Sequence, residues 1–291
     1  MYNKTKISIR ERLADDDDDI IILPGVYDAL TAKIAEDVGF ETAFQTGYGT
    51  SASLLGMPDF GFLNAGETLE NAKRIINSVN IPILVDIDTG YGNPLNVWKI
   101  VKDLERIGAK GIFLEDQVWP KRCGHMTGKT VIPKEEYILK LHAAIDARED
   151  NEFIIVARTD SLAQFGIEEA IERGKEYKRI GADVIFIEAP KTIDQMELIA
   201  KEIKAPLLAN MIEEGITPNL TAHQLRKMGF KMVVFPLSAL YSATFAIKQT
   251  LQTLKKMGTT KELKNKMITF QEFNDLVNLS AYRNLEKKYS S

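Results

Sequence analysis

Arg106-Ile107-Gly108-Ala109-Lys110-Gly111-Ile112-Phe113-Leu114-Glu115 ends one element of this chain and makes the next. Upstream, residues 95–107 alternate apolar and charged side chains at helical spacing. Gly108 stands where that helix should stop, because glycine takes the left-handed C-terminal cap without a Cβ clash. Residues 111–114 then run without a polar side chain, as a strand buried on both faces requires. The same punctuation recurs three times. Val38-Gly39-Phe40 precedes 42–45, Ile180-Gly181-Ala182 precedes 184–187, and Met228-Gly229-Phe230 precedes 232–235. Apolar runs at 20–23, 83–85, 153–157 and 207–209 bring the strands to eight. Helical patterns at 95–107, 134–147, 167–180 and 221–228 lie between strands, the last opened by Thr221 and Gln224 at capping-box spacing. Alternating elements in this number favour a closed (β/α)8 TIM-type barrel. A doubly wound open sheet is the second choice, weakened because no glycine-rich phosphate loop follows the first strand.

The chain of 291 residues suits one such barrel, expected over 20–257 of a single domain, with a C-terminal helical extension at 258–291. The extension carries Met267, Phe270, Phe273, Leu276 and Val277, an apolar stripe to be buried on the barrel or on a neighbouring subunit. A net charge of −4 with no basic stripe argues against a nucleic-acid partner. The apolar runs are too short to cross a bilayer, and the N-terminus lacks the apolar stretch of a signal peptide. With one cysteine, no disulfide framework within the chain is possible, which fits a cytoplasmic protein. The acid run at 15–19 reads as a solvated loop before the first strand, since adjacent carboxylates repel and diverge.

The strand ends carry the chemistry. Thr46 follows the second strand, Asp86 and Asp88 the third, Glu115 and Asp116 the fourth, Arg158 and Asp160 the fifth, Glu188 the sixth and Asn210 the seventh. In a barrel these ends converge on one mouth, where such enzymes place their active sites. Asp86, Asp88 and Glu115 are hard oxygen donors suited to Mg2+. Three histidines and one cysteine offer no zinc spacing. His142 and His223 fall on helical segments and read as structural or solvent-facing. Thr46-Gly47-Tyr48 forms a turn whose backbone N–H groups can hold a carboxylate. Lys121-Arg122-Cys123-Gly124-His125 lies in a loop at 117–130. Two cations and an imidazole beside a thiol should favour the thiolate, and Gly124 suits a movable lid.

At these residues the chain resembles the isocitrate lyase/phosphoenolpyruvate mutase superfamily, nearest its 2-methylisocitrate lyase and petal death protein/2,3-dimethylmalate lyase branches. The Lys121–His125 signature, Glu115-Asp116-Gln117, Ala157-Arg158-Thr159-Asp160 and Ala209-Asn210-Met211 carry the resemblance, which covers nearly the whole chain. It implies that Asp86 and Asp88, with Glu115 through water, hold Mg2+ (or Mn2+), and that Asp59 supports the site. It implies that Thr46, Gly47 and Tyr48 bind a 2-oxoacid carboxylate. Arg158, Glu188, Asn210 and Gly124 would contact the rest of the substrate. Cys123 would be the general acid, with Lys121, Arg122 and His125 completing the catalytic loop. A homotetramer exchanging its C-terminal helices is implied too.

The implied reaction cleaves a 2-hydroxy-2-alkyl di- or tricarboxylate, 2-methylisocitrate or 2,3-dimethylmalate, to pyruvate plus succinate or propanoate. The chain departs from 2-methylisocitrate lyases at Thr46-Gly47-Tyr48, where they read Ser-Gly-Gly. It departs again at Ile212, where they carry threonine, and at Phe44, where they commonly carry tyrosine. Both Tyr48 and Ile212 point toward the smaller 2,3-dimethylmalate. Oxaloacetate hydrolysis or decarboxylation is the alternative. Phosphorus–carbon mutase chemistry is disfavoured by the Cys-Gly-His loop, and a non-enzymatic binding role by the intact acids at the strand ends.

Overall fold

A computed structural model describes residues 8–15, 19–126 and 128–290. Of the acid run at 15–19, Asp16, Asp17 and Asp18 lie outside the described residues. Eight parallel strands close in sequence order: β1 Ile21–Val26, β2 Ala43–Gln45, β3 Ile83–Asp86, β4 Gly111–Glu115, β5 Ile154–Thr159, β6 Val184–Ile187, β7 Leu207–Asn210 and β8 Met232–Phe235. β8 returns to β1 with Ile21 opposite Met232. The (β/α)8 barrel expected from the sequence is therefore the fold.

The glycine punctuation works as expected. Gly39, Gly108, Gly181 and Gly229 have φ of +96°, +95°, +120° and +102°. The residue after each glycine donates its N–H five residues back, Ala109 to Leu104 and Phe230 to Leu225 among them, at 3.0 and 3.1 Å. This is the Schellman closure, which satisfies orphan carbonyls and turns the chain into the next strand. Thr221 and Gln224 form the expected capping box on the helix Ala222–Met228.

Two apolar layers result from the alternation of side chains along each strand. Ile21, Leu23, Phe44, Leu84, Phe113, Ile154, Val156, Val184, Phe186, Leu208, Met232 and Val234 fill the barrel interior. The short helix Ile9–Ala14 adds Ile9 and Leu13 to the same cluster. A larger shell packs the opposite strand faces against the helices. The C-terminal part differs. The helix Ser238–Met257 and the pieces Lys261–Lys266, Phe270–Leu276 and Leu279–Tyr289 contain no buried residue. The helical pattern of the extension is thus broken, once where Thr269 caps a new helix and again at Asn278, with φ of +61°. Among the described residues no helix is long and apolar enough to cross a membrane.

Candidate active site

The residue two positions beyond the last interior apolar side chain of each strand faces inward again. Counting from Leu23, Phe44, Leu84, Phe113, Val156, Phe186, Leu208 and Val234 gives Gly25, Thr46, Asp86, Glu115, Arg158, Glu188, Asn210 and Pro236. One layer at the carboxyl ends of the strands therefore holds six of the nine polar residues expected at the strand ends. Gly25 must be glycine, because a Cβ there would stand 2.2 Å from the Pro236 carbonyl oxygen. Thr46, Asp86, Arg158, Glu188, Asn210 and Pro236 line a cavity with Tyr48, Asp59, Lys121, Arg122, Cys123 and Gly124. Its volume of about 40 Å3 is room for only a few waters.

Asp116 departs from the expected convergence. Adjacent to Glu115, it faces the opposite side of β4 and is fully buried. Its carboxylate accepts from Thr159 Oγ1 (2.6 Å), the Asp160 N–H (2.9 Å), Arg173 (2.9 Å) and Tyr177 (3.0 Å). Asp116 ties the strands to the helix Ile167–Ile180 and takes no part in the mouth.

Arg158 organises the inner layer. Its guanidinium grips Asp160 through Nε (2.9 Å) and Nη2 (3.1 Å), and lies 3.2 Å from Glu115 and 3.8 Å from Glu188. Asn210 Nδ2 donates to both Glu188 oxygens at 3.2 and 3.3 Å. Thr46 caps the helix Gly47–Leu55, whose first turn opens beside the cavity. The Gly47 N–H points at Asp86 Oδ2 at 3.4 Å, and a Cβ on Gly47 would stand 2.9 Å from that oxygen. Helix N-termini of this kind attract carboxylates.

The 117–130 segment packs down on this layer. A Cβ on Gly124 would lie 1.9 Å from Glu188 Oε1 and 2.5 Å from Arg158 Nη2, so only glycine lets the backbone pass. His125 Nδ1 accepts the Ile216 N–H at 2.9 Å, and Nε2 lies 3.5 Å from Glu188. Gln117 and Arg122 exchange side-chain to backbone bonds, both 2.9 Å.

Two expectations about this loop need correction. The charge of Lys121 is not left free to act on the thiol but is paired with carboxylates. Its ammonium is buried against Asp59 (2.5 Å) and Asp88 (2.7 Å), inside the acid cluster. Nor is the thiolate favoured. Burial pushes the Cys123 thiol up to about 11, against the opposing pull of a hydrogen bond from the His125 backbone N–H. Burial also lowers the His125 imidazole below its ordinary value, so the ring is neutral and contributes no positive charge. His142 and His223 are exposed, as expected.

Among the described residues no group of three or more His, Cys, Asp or Glu side chains is placed so that it could hold a metal ion directly. Asp86, Asp88 and Glu115 are therefore not a ready-made set of direct ligands; Lys121 lies among them. The donors nevertheless fit Mg2+, which keeps waters and takes one or two carboxylates. Glu115 Oε1 is buried without a hydrogen-bond partner. Burial, followed by Asp86 and Asp59, raises the Asp88 carboxyl against the pull of Lys121. Burial likewise raises Glu115 against Arg158. Such crowding of acids is relieved by a cation.

Against this geometry, a model of the phosphoenolpyruvate phosphomutase family matches residues 10–255. The chain belongs to the PEP mutase/isocitrate lyase superfamily. It is 49% identical over 276 residues to the chloroplastic carboxyvinyl-carboxyphosphonate phosphorylmutase of Arabidopsis thaliana, covering 94% of this chain and 81% of that protein. It is 43% identical over 272 residues to the 2,3-dimethylmalate lyase of Eubacterium barkeri, covering 94% of each. The structure of oxaloacetate acetylhydrolase with 3,3-difluorooxalacetate aligns with a TM-score of 0.91 and 33% identity over 98% of this chain and 96% of that one. Phosphonopyruvate hydrolase with oxalate and Mg2+ aligns with a TM-score of 0.87 and 30% identity, over 97% and 98%. This superfamily member is an enzyme of the lyase and mutase type.

The sequence reading missed the apolar wall of the cavity: Phe113, Phe186, Val234, Pro236 and Leu237 join Phe44 and Ile212. The period of two, counted inward from the strand ends, is the signal that would have found most of them. Phe44 packs its ring 4.3 Å from that of Phe113.

Proposed function

We propose that the chain is a Mg2+-dependent carbon–carbon lyase acting on a 2-hydroxy-2-alkyl dicarboxylate of 2,3-dimethylmalate type. One observation carries this reading: a thiol held protonated by burial lines the same cavity as Arg158, Glu188 and Asn210. A protonated thiol is the form a general acid needs. The apolar wall would receive the alkyl groups. Ile212, with no hydroxyl to offer an extra carboxylate, favours this substrate over 2-methylisocitrate.

In the proposed reaction the 2-hydroxyl loses its proton and the C2–C3 bond breaks. C2 becomes the keto carbon of pyruvate, held at Thr46, Gly47 and Tyr48 against the helix N-terminus. The electron pair stays on C3, spread into its carboxylate, where Arg158 offers positive charge. Cys123 gives C3 a proton, and propanoate leaves. The thiolate then rests on the His125 N–H until solvent returns the proton lost by the hydroxyl. Asp86 and Asp88, with Glu115 and Asp59, would hold Mg2+ or Mn2+; when bound it supplies charge that polarises the 2-oxoacid oxygens.

The test is pyruvate release with Mg2+ from 2,3-dimethylmalate, 2-methylisocitrate, isocitrate and oxaloacetate. We expect 2,3-dimethylmalate to be cleaved fastest, chelation to abolish the activity and added Mg2+ to restore it. Cys123→Ser should lower kcat about 100- to 10,000-fold, the range for losing a general acid. Oxaloacetate consumed while the alkylated substrates stay intact would replace lyase chemistry with hydrolysis.

A further inference from the structure

Lys129 has no part in the reaction above, yet its side chain is only 3% exposed. Its ammonium lies 2.8 Å from Asp160 Oδ1 and also donates to the Gly124 carbonyl oxygen. A buried ammonium is tolerated only where charge and hydrogen bonds compensate its lost hydration. Here the compensation comes from two different places. Gly124 belongs to the segment that carries Cys123, whereas Asp160 follows β5 on the rigid barrel. Asp160 Oδ1 also accepts from Arg158 Nη2 at 3.1 Å.

We infer that Lys129 is a positioning residue, a latch that fastens the Cys123 segment onto the end of β5 through Asp160. The base of the segment is held independently, by Gln117 with Arg122, by Val118 N–H to the Thr130 carbonyl (2.8 Å) and by Val131 N–H to Gln164 (3.1 Å). On the N-terminal side of Cys123 the segment is anchored by Lys121 to Asp59 and Asp88; on its C-terminal side it reaches the barrel through His125 and Lys129. The latch can open without stranding a charge. When Lys129 leaves, Asp160 keeps its two bonds from Arg158, and the ammonium returns to water. Closure also changes Arg158. With Lys129 in place, Asp160 is shared between two cations, so less of the guanidinium charge is cancelled and more is offered to the substrate. Closing the segment and charging the substrate pocket thereby become one event.

This inference rests on the reading of Cys123 as the acid delivered by the segment. The test compares Lys129→Met and Lys129→Gln with Lys129→Arg in the full-length enzyme with Mg2+. Two readouts are needed: amide hydrogen exchange and kinetics on the substrate cleaved fastest. We expect exchange of the amides at 121–130 to rise about tenfold in the Met and Gln variants, with the rest of the barrel unchanged. We expect kcat to fall about 10- to 100-fold, as for an ångström-scale misplacement of a catalytic group, with KM changed far less. Lys129→Arg should restore part of both. Should Lys129→Met unfold, the polar Gln variant carries the comparison. Wild-type exchange at 121–130 in a folded, charge-free variant overturns the latch, whether or not kcat falls. Retained turnover in Cys123→Ser would instead overturn the acid, and the exchange result would still decide the latch.

Discussion

Cys123 shows how packing inverts what neighbours in sequence suggest. Lys121 and Arg122 precede it and His125 follows, an arrangement that would lower a thiol pKa in solution. In the folded chain Lys121 turns to Asp59 and Asp88, the imidazole is neutral, and burial lifts the thiol to about 11. The proton therefore stays on sulfur across the neutral range. We expect iodoacetamide to alkylate Cys123 in the metal-free enzyme at pH 8 about a hundredfold more slowly than a free cysteine, because only the thiolate attacks. The rate should climb with pH until about 11. A plateau near pH 8 or 9, followed by mass spectrometry, would show the thiol to be unprotected and remove the basis for its acid role.

At the scale of elements, the catalytic segment and the outer helices make opposite demands. The segment must press its backbone onto Glu188 and Arg158, which Gly124 alone permits. Gly124→Ala should cut kcat about a hundredfold by holding the segment off the cavity, with the thermal midpoint unchanged. The helix Ile167–Ile180 must stay fixed, and Arg173 fixes it to Asp116 at 2.9 Å. Arg173→Met strands a buried carboxylate and should cost about 3–5 kcal/mol of stability in urea unfolding, while kcat in the folded fraction stays near wild type. Burial raises the folded-state pKa of Asp116. Protonation therefore favours the folded form, and a raised group loses its contribution as pH rises through the folded value. Without Arg173 the rise is larger, so the variant's deficit should be smaller near pH 4 than at pH 8.

For the whole molecule, the C-terminal helices pose the open demand. Phe245 is 65% exposed and Phe270 83%, and no residue from Ser238 to Tyr289 is buried. Apolar surface of this extent marks an interaction face. We propose that it is covered by further copies of the chain, the C-terminal helices packing between subunits as the sequence resemblance implies. Sedimentation of the native protein should give a mass near four chains, and Phe245→Asp with Phe270→Asp should shift it toward smaller species. A monomer at micromolar concentration would refute the proposal.

The barrel and the list of strand-end groups follow from the order of residues alone. Glycine caps, continuously apolar strands and helical periodicity are local rules, and each of the four Gly-punctuated helix ends obeyed them. Asp86, Glu115, Arg158, Glu188 and Asn210 were legible because a strand end in a barrel has only one mouth to face. Only the tertiary structure separated Glu115 from Asp116, since which of two adjacent acids points inward depends on strand register. Only it brought Lys121 to Asp59, sixty-two residues away, and Lys129 to Asp160. It also decided the protonation of Cys123 and His125. Desolvation and charge pairing depend on which groups surround an atom in space, and the order of residues along the chain does not state that.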